Sequence, residues 1–340
     1  ETAAIAYIQQ CASAGGLSCR SDEVGNLIVE TPGQSCEWIE TGSHLDTVPG
    51  GGNFDGLAGI VVGLEVLLTI QQSETPIKRG LRLRIWRGEE SATFGVTSIG
   101  SRAAFGTLNP SVLNQSYAGI SLAEAMLKQG VKLEPIRSKR ATISNHERNG
   151  IAAFIELHIE QGKVLEQMGK DIGIVTAIRG SKRSWIHLRG TFDHSGATPM
   201  GKEFRSDANL AMAYMVVKLG PLLQAPNRKG ADLVQTSGQI NPSDKNDAAL
   251  DLCENAVTKV SGSASFSFEV RGCDAEQVDR YCNHAFQLIR DTASEFGIAI
   301  EIDTFSNQAG IVSLDHGIQG LLSKACDALK LTRTSLPSGA

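Results

Sequence analysis

The alternation of apolar and polar positions predicts a βαβ rhythm over roughly the first half of the chain. Strands are predicted at 24–29, 38–42, 81–86 and 151–158, and helices at 2–14, 56–68 and 121–129. Strands that alternate with helices typically form a parallel sheet covered by helices. The pattern therefore predicts an α/β domain with a mixed, largely parallel sheet flanked by helices.

The pattern changes after Ser181. Strands are predicted at 184–192, 264–271 and 298–305, and helices at 206–219 and 275–296. The strand at 264–271 (ASFSFEVR) alternates strictly between small or polar and apolar residues, which is typical of a strand with one buried face. This order predicts a small α+β sandwich over residues 180–307. Residues 1–179 and 308–340 are predicted to form the first domain.

Composition sets bounds on the function. A chain of 340 residues with 41% hydrophobic and 20% charged residues can bury the cores of two domains. A net charge of −5 with scattered basic residues argues against a nucleic-acid partner. Seven cysteines without a CxxC pair predict reduced thiols and a cytoplasmic protein. The apolar runs are too short to span a membrane.

The segment GSHLDTVPGGGNFDG carries the first candidate chemistry. His44 and Asp46 follow a predicted strand, where open α/β sheets place their active sites. His44 can offer one ring nitrogen to a metal while Asp46 holds the other N–H. Asp55 precedes a predicted helix and can bridge two cations. A surface hydrogen bond within the His-x-Asp segment is the simpler alternative for these residues alone.

Two further strand ends favour the metal hypothesis. Glu89 and Glu90 follow the strand at 81–86, and adjacent carboxylates repel each other unless a cation or proton compensates. One can bind metal while the other serves as general base. His158 follows the predicted strand at 151–158. Together these residues predict a site built from histidine and carboxylate ligands.

The motifs resemble those of one family. The matching strings are GSHLDTVPGGGNFDG, RGEESATFG, GSRAAFG, ERNG, ELHIEQGKVLE, IGIVTAIRG and DHSGATPM. They resemble the hydantoinase/carbamoylase group of binuclear metal-dependent amidohydrolases, which is related to zinc aminoacylases and carboxypeptidases. The group holds N-carbamoyl-L-amino-acid hydrolases, β-ureidopropionases and allantoate amidohydrolases. The peptidase relatives generally carry a carboxylate where this chain has His158, so the resemblance favours a ureido-amide hydrolase.

The resemblance implies a role for each metal residue. Asp55 bridges two divalent ions, His44 and His158 complete one site, and Glu90 serves the other. Glu89 is then the general base, while a last histidine of the family lies beyond the 340 residues, so the catalytic domain is expected to lack its C-terminal part. Zinc, manganese, cobalt and nickel all suit histidine and carboxylate ligands.

The resemblance also implies substrate contacts and a dimer. His194 matches a histidine that reaches the active site of the other subunit of a homodimer, from an inserted lid or dimerisation domain, and donates to the oxyanion. Arg271 matches an arginine that binds the substrate carboxylate, and Gln161 matches an amide that contacts the ureido group. A substrate-binding asparagine of the family is replaced by Thr258, while Asn255 remains.

The sequence therefore predicts hydrolysis of a carbamoyl or ureido C–N bond of an N-carbamoyl-L-amino acid or a close ureido acid. β-Ureidopropionase and allantoate amidohydrolase are the nearest alternatives. A dipeptidase or aminoacylase would use nearly the same metal residues. A non-catalytic binding module is the alternative from another class, and it predicts the loss of ligand or base residues.

Overall fold

The computed structural model describes residues 1–33, 35–73, 76–228, 230–242 and 256–339. These residues form two compact units, Glu1–Gln161 and Gly162–Ala340. None of the described helices is both long and apolar enough to span a lipid bilayer. The predicted domain division at 179 and 308 stays a prediction.

The first unit is built on a five-stranded sheet with the order β1-β2-β4-β3-β7. The strands of the unit are β1 (Ser18–Ser21), β2 (Leu27–Glu30), β3 (Trp38–His44), β4 (Gly80–Trp86), β5 (Ser116–Tyr117), β6 (Ile120–Ser121) and β7 (Ile151–Ile155). β5 and β6 form a separate hairpin. Parallel pairing joins β4, β3 and β7, whereas β1–β2 and β2–β4 are antiparallel. The sheet is therefore mixed, and only its β4-β3-β7 half is parallel.

Six α-helices accompany this sheet in the described part of the first unit. They are α1 (Thr2–Ala14), α2 (Leu57–Gln72), α3 (Ile99–Ala104), α4 (Leu122–Lys128), α5 (Glu134–Arg137) and α6 (Asn145–Asn149), with a 3-10 helix at Pro110–Asn114. Ile60, Leu64 and Leu67 of α2 pack with sheet residues such as Leu83 and Ile85 in one core. A second core lies beneath α3, α4 and α5. The first of these cores holds β4, whose C-terminal end carries part of the predicted site.

The predicted strand at 24–29 begins late. The Asp22 carboxylate accepts hydrogen bonds from the backbone N–H groups of Val24 and Asn26, and Gly25 has a φ of +90°. These contacts close a turn between β1 and β2, so β2 starts only at Leu27. β1, which the sequence did not predict, forms the other arm of this antiparallel hairpin.

The second unit holds a five-stranded antiparallel sheet, in which four strands follow the order β11-β14-β9-β15 and β12 also pairs with β14. The strands of this unit are β8 (Ile172–Ile178), β9 (Gly180–Arg189), β10 (Asp193–His194), β11 (Leu233–Thr236), β12 (Ile240–Asn241), β13 (Lys259–Val260), β14 (Ser263–Gly272), β15 (Ala299–Gln308) and β16 (Arg333–Ser338). The helices are α7 (Val164–Met168), α8 (Ala208–Leu222), α9 (Gln224–Arg228), α10 (Ala275–Glu295) and α11 (His316–Ala328). β8 and β16 pair in parallel with each other in a separate sheet.

One face of this five-stranded sheet packs against α8 and α10. The core between them contains Phe266, Phe268 and Ile186 of the sheet, Met215 of α8 and Ile289 of α10. The predicted elements of this region are present, with bounds that shift by a few residues. A two-layer arrangement of helices on an antiparallel sheet is the α+β sandwich that the sequence pattern predicts.

Candidate metal centre

Three strands deliver the predicted site residues to one edge of the first sheet. β3 ends at His44, β4 leads into Glu89 and Glu90, and β7 leads into His158. Because β4, β3 and β7 are neighbours and parallel, their carboxyl ends meet at the same edge. The structure therefore brings together the histidines and carboxylates that the sequence predicts at these three ends.

Backbone carbonyl groups orient both histidines. Nδ1 of His44 lies 2.9 Å from the carbonyl oxygen of Asp46, and Nδ1 of His158 lies 2.8 Å from the carbonyl oxygen of Ile159. A carbonyl oxygen can only accept, so Nδ1 carries a hydrogen in each ring. Nε2 is then the atom left for a metal, and metal-binding histidines are commonly fixed in this way through their other nitrogen.

Asp55 lies between the two imidazole rings. Its Oδ1 atom is 3.6 Å from Nε2 of His44 and 3.2 Å from Nε2 of His158. This oxygen is buried and accepts no hydrogen bond, whereas Oδ2 accepts one from Nε2 of Gln161 at 2.5 Å. A buried carboxylate oxygen is normally paired, and a cation between it and the two Nε2 atoms would satisfy it.

Asp46 connects the ends of β3 and β4. Its carboxylate accepts the backbone N–H of Glu89 at 3.1 Å and that of Glu90 at 2.8 Å. The carboxylate lies 3.6 Å from Nδ1 of His44, farther than the Asp46 carbonyl oxygen. The main chain of Asp46 thus makes the closer contact to the imidazole, while its side chain fixes the segment that carries the two glutamates.

Negative charge is concentrated at this edge of the sheet. Burial acts to lower the pKa of His44, but the neighbouring Asp46 and Glu89 outweigh it and raise this pKa to about 9. Burial, with repulsion from Glu89 and Asp55, raises the pKa of Glu90. Burial acts to raise the pKa of Asp46, but His44 and the Glu90 and Glu89 amides lower it. The pKa of His44 and that of Glu90 are therefore raised by this negative charge, whereas that of Asp46 is lowered.

Among the residues that the structure describes, two sets of side chains are close enough to hold metal ions. One set is His44, Asp55 and His158, and the other is His44, Glu89 and Glu90, with ligand atoms within 4.8 Å of one another in each set. Imidazole nitrogen and carboxylate oxygen together suit zinc, manganese, cobalt and nickel. The orphaned Asp55 oxygen and the orientation of both rings fit such ions.

The second unit carries His194 on a short strand. Nδ1 of His194 accepts the backbone N–H of Gly196 at 3.1 Å, so a neutral ring carries its hydrogen on Nε2. The N–H of Ser195 donates to the carbonyl oxygen of Thr258 at 3.0 Å. The His194 side chain is exposed.

Arg205 is a residue whose contribution the sequence did not reveal. Its guanidinium donates to the carbonyl oxygens of Ser195, Thr198 and Pro199, which form the turn after His194. Arg205 thus supplies a donor to each of these three carbonyl groups. The arginine that follows the DHSGATPM motif was the available signal, because a planar fork with five donors suits several acceptors at once.

Arg271 lies on β14 beside another ion pair. Its Nε is 3.2 Å from Oε1 of Glu269, and Nε of Arg183 is 2.6 Å from the same oxygen. Burial acts to raise the pKa of Glu269, but bonds to Arg183 and Arg271 lower it. Arg271 also donates through Nη1 to the carbonyl oxygen of Gly339. Asn255 lies outside the described residues.

Comparisons with known proteins agree on one family. Residues 41–340 match the Peptidase family M20/M25/M40. Allantoate amidohydrolase of Escherichia coli is 31% identical over 332 residues, covering 96% of this chain and 75% of that protein. N-carbamoyl-L-amino acid amidohydrolase of Geobacillus stearothermophilus is 31% identical over 328 residues, with the same coverage of 96% and 75%. Ureidoglycolate hydrolase of rice (Oryza sativa) is 27% identical, covering 96% of this chain and 65% of that protein.

Solved structures give the same result. A hydantoinase/carbamoylase family amidase from Burkholderia ambifaria superimposes with a TM-score of 0.78 at 29% identity, covering 99% of this chain and 78% of that one. Aminopeptidase PepT from Bacillus cereus superimposes less well, with a TM-score of 0.57 at 17% identity, covering 98% of this chain and 78% of that one, and this likeness shows the fold alone. The chain belongs to the peptidase M20 family and, within it, to the hydantoinase/carbamoylase group of metal-dependent amidohydrolases.

Proposed function

We propose that this enzyme hydrolyses the carbamoyl or ureido C–N bond of an N-carbamoyl-L-amino acid or a close ureido acid at a two-metal centre. The products are ammonia, carbon dioxide and an amino acid. The observation that carries the proposal is the placement of Oδ1 of Asp55 between Nε2 of His44 and Nε2 of His158. Asp55, His44 and His158 would hold one divalent ion, and Glu90, with Asp55 shared between the sites, would hold the other.

Bound divalent ions would lower the pKa of a shared water and polarise the substrate carbonyl group. Glu89 takes a proton from the attacking water and passes it to the leaving nitrogen. Its Oε2 atom lies 3.9 Å from Nε2 of His44, so the carboxylate faces the ligand cluster. The backbone N–H of Gly196 donates to Nδ1 of His194, so a neutral His194 ring carries its hydrogen on Nε2. His194 donates this Nε2 hydrogen to the developing oxyanion.

The substrate class rests on a shared chemical feature. Allantoate, N-carbamoyl amino acids and ureidoglycolate, which name the similar enzymes, all carry a ureido group and a carboxylate. Arg271 binds the carboxylate, and Gln161 contacts the ureido end near Asp55. Asn255 and Thr258 are further substrate contacts. Allantoate amidohydrolase and β-ureidopropionase activities are the alternatives within this class.

A substrate panel tests the proposal directly. N-Carbamoyl-L-amino acids, N-carbamoyl-β-alanine, allantoate and dipeptides are assayed with and without each divalent metal. We expect hydrolysis of a ureido acid that chelation abolishes and metal restores. Hydrolysis of dipeptides alone would contradict the proposal.

Two adjacent variants separate the base from a ligand. Glu89→Gln should lose most of kcat and keep bound metal, because the amide cannot accept the proton. Glu90→Gln is the matched control and should lose metal from one site. Near wild-type kcat in metal-loaded Glu89→Gln would show that Glu89 is not the base.

Arg271 is tested by a conservative change. An ammonium group cannot reproduce the planar bidentate fork, so Arg271→Lys should lower kcat/KM for a carboxylate substrate about ten- to a hundredfold. A substrate whose carboxylate is amidated should show almost no difference between wild type and variant. An equal loss on both substrates would contradict carboxylate binding.

We also propose a homodimer in which residues 180–307 act as an inserted lid and dimerisation domain on a catalytic domain of residues 1–179 and 308–340. His194 lies in the second compact unit and every metal ligand named above in the first, which suits a site shared between subunits. The pairing of β8 with β16 supports joining the segments on either side of the insertion. The six described cysteines are unpaired, which supports a cytoplasmic location.

Subunit mixing tests the shared site. Inactive His194→Ala and inactive Glu89→Gln subunits are combined in equal amounts and allowed to exchange. About half of the dimers are then hybrids with one intact site each, so activity should recover to about a quarter of wild type. Absence of recovery after verified exchange would place His194 in its own subunit's site or outside it.

A further inference from the structure

Ser98 has an unusual backbone conformation beside Glu89. Its φ of 55° and ψ of 41° place it in the left-handed region, although it is not glycine. Its N–H donates to the carbonyl oxygen of Glu89 at 2.8 Å. Its hydroxyl donates to Oε1 of Glu89 at 3.2 Å. Ser98 therefore holds both the main chain and the side chain of Glu89.

The backbone near Ser98 is fixed without help from the hydroxyl. The N–H groups of Ile99 and Gly100 donate to the carbonyl oxygens of Gly88 and Arg87 at 2.9 and 2.7 Å, continuing the bond that Ser98 makes to Glu89. Three consecutive bonds thus fasten the start of α3 to the segment after β4. The hydroxyl is not required to build this attachment.

Glycine would suit the conformation of Ser98 better than serine does. Residues with a Cβ are disfavoured in the left-handed region, whereas glycine adopts it freely. The same segment uses glycine at two other positive-φ positions, Gly88 and Gly95. A strained residue that persists near an active site points to a role for its side chain. The contact that glycine would lose is the bond to Oε1 of Glu89.

The bond leaves the other oxygen of Glu89 directed at the ligand cluster. Oε2 is 3.9 Å from Nε2 of His44 while Ser98 holds Oε1. The Glu89 side chain is 40% exposed, so the surrounding protein encloses it only in part. We infer that Ser98 is a positioning residue that orients the Glu89 carboxylate for proton transfer. The inference rests on the proposed role of Glu89 as general base.

Ser98→Gly removes the hydroxyl and relieves the backbone at the same time. The variant should lose about tenfold in kcat, the order expected for one hydrogen bond to a charged group, with KM within about twofold of wild type. Its urea midpoint should equal or exceed that of wild type, because glycine accepts this conformation. A merely structural role would lower stability and activity together.

Two further variants serve as controls. Ser98→Ala removes only the hydroxyl and should match Ser98→Gly in kcat. Ala118, with a φ of 48°, is another left-handed residue with a Cβ, in the turn between β5 and β6. Ala118→Gly should therefore keep wild-type kcat. Wild-type kcat in Ser98→Gly and Ser98→Ala would overturn the inference.

The same experiment separates this inference from the proposed function. In a Glu89→Gln background, Ser98→Gly should cause no further loss of kcat. If Glu89→Gln alone retained wild-type kcat, the base assignment would fail and the inference with it. Crystal structures give a readout that needs no activity. The Glu89 carboxylate should adopt one orientation in wild type and several in Ser98→Gly, and one unchanged orientation in both would overturn the inference even if Glu89 is the base.

Discussion

Gly56 offers a sharp test of the metal centre, because an added methyl group there would strike a proposed ligand. Its φ of 63° and ψ of −46° lie outside the regions open to residues with a Cβ. Gly56 is the central residue of a tight turn, in which the N–H of Leu57 donates to the carbonyl oxygen of Asp55 at 2.6 Å. A Cβ at this position would lie 2.6 Å from both Cε1 and Nδ1 of His44. Gly56→Ala therefore strains the turn and displaces the imidazole.

The size of the displacement follows from these distances. Ordinary carbon contacts begin near 3.4 Å, so the His44 ring must retreat by about 0.8 Å. Metal–ligand distances tolerate only about 0.2 Å, so the ring cannot remain a good ligand. We expect metal affinity to fall about 100-fold or more, beyond the range of about 10- to 100-fold typical of changes around a metal ligand. Backbone strain and overpacking should cost about 2–5 kcal/mol of stability.

Two glycines of the preceding loop provide matched controls. Gly50 has a φ of +71° with open space around a Cβ, so Gly50→Ala measures strain alone. Gly52 has open space and no positive φ, so Gly52→Ala should change nothing. Metal affinity is measured by equilibrium dialysis and stability by urea denaturation. Equal metal affinity in Gly56→Ala and Gly50→Ala would refute the reasoning.

Two further predictions concern the buried charges of the first sheet. Glu40 is 1% exposed and accepts hydrogen bonds from Arg82 and Arg84. Glu40→Ala leaves these buried guanidinium groups without this partner, so it should lower the free energy of unfolding by about 3 kcal/mol in urea denaturation. A loss below about 1 kcal/mol would contradict this expectation. Burial acts to raise the pKa of Glu147, but Arg20 and Arg84 lower it below its ordinary value of 4.5. Stability from this group is therefore present above about pH 4.5 and lost as the pH falls through the lowered pKa. Urea midpoints measured against pH should therefore fall less steeply at acid pH in Glu147→Gln than in wild type. An equally steep fall in both proteins would contradict this role of Glu147.

The positions of the proposed metal ligands at strand ends could be predicted because the sequence pattern shows where the strands end. β3 ends at His44, β4 ends three residues before Glu89, and parallel pairing of these neighbouring strands brings their ends together. The orientation of each imidazole could not be predicted. It depends on the direction of the Asp46 and Ile159 carbonyl groups, which the loop backbone sets in three dimensions.

The charged face of β4 shows a second limit of the sequence. Alternation of apolar and charged residues correctly predicts the strand, but Arg82 and Arg84 are 3% and 1% exposed rather than facing solvent. Their partners include Glu40 on β3 and Glu147 on α6, which lie far away in sequence. Burial of such charges is stable only when every partner is in place, so it is a property of the assembled sheet and not of the strand.

Asp46 makes hydrogen bonds that hold proposed site residues from the ends of two strands. Its carbonyl oxygen fixes the His44 ring, and its two carboxylate oxygens each accept one N–H, from Glu89 and from Glu90. A glutamine or asparagine amide could not replace it, because an amide has only one oxygen and its nitrogen would face an N–H donor. The placement of the proposed base and ligands therefore depends on the Asp46 carboxylate in addition to the imidazole contact that the sequence suggested. This explains why a residue outside both ligand sets lies at the junction of β3 and β4.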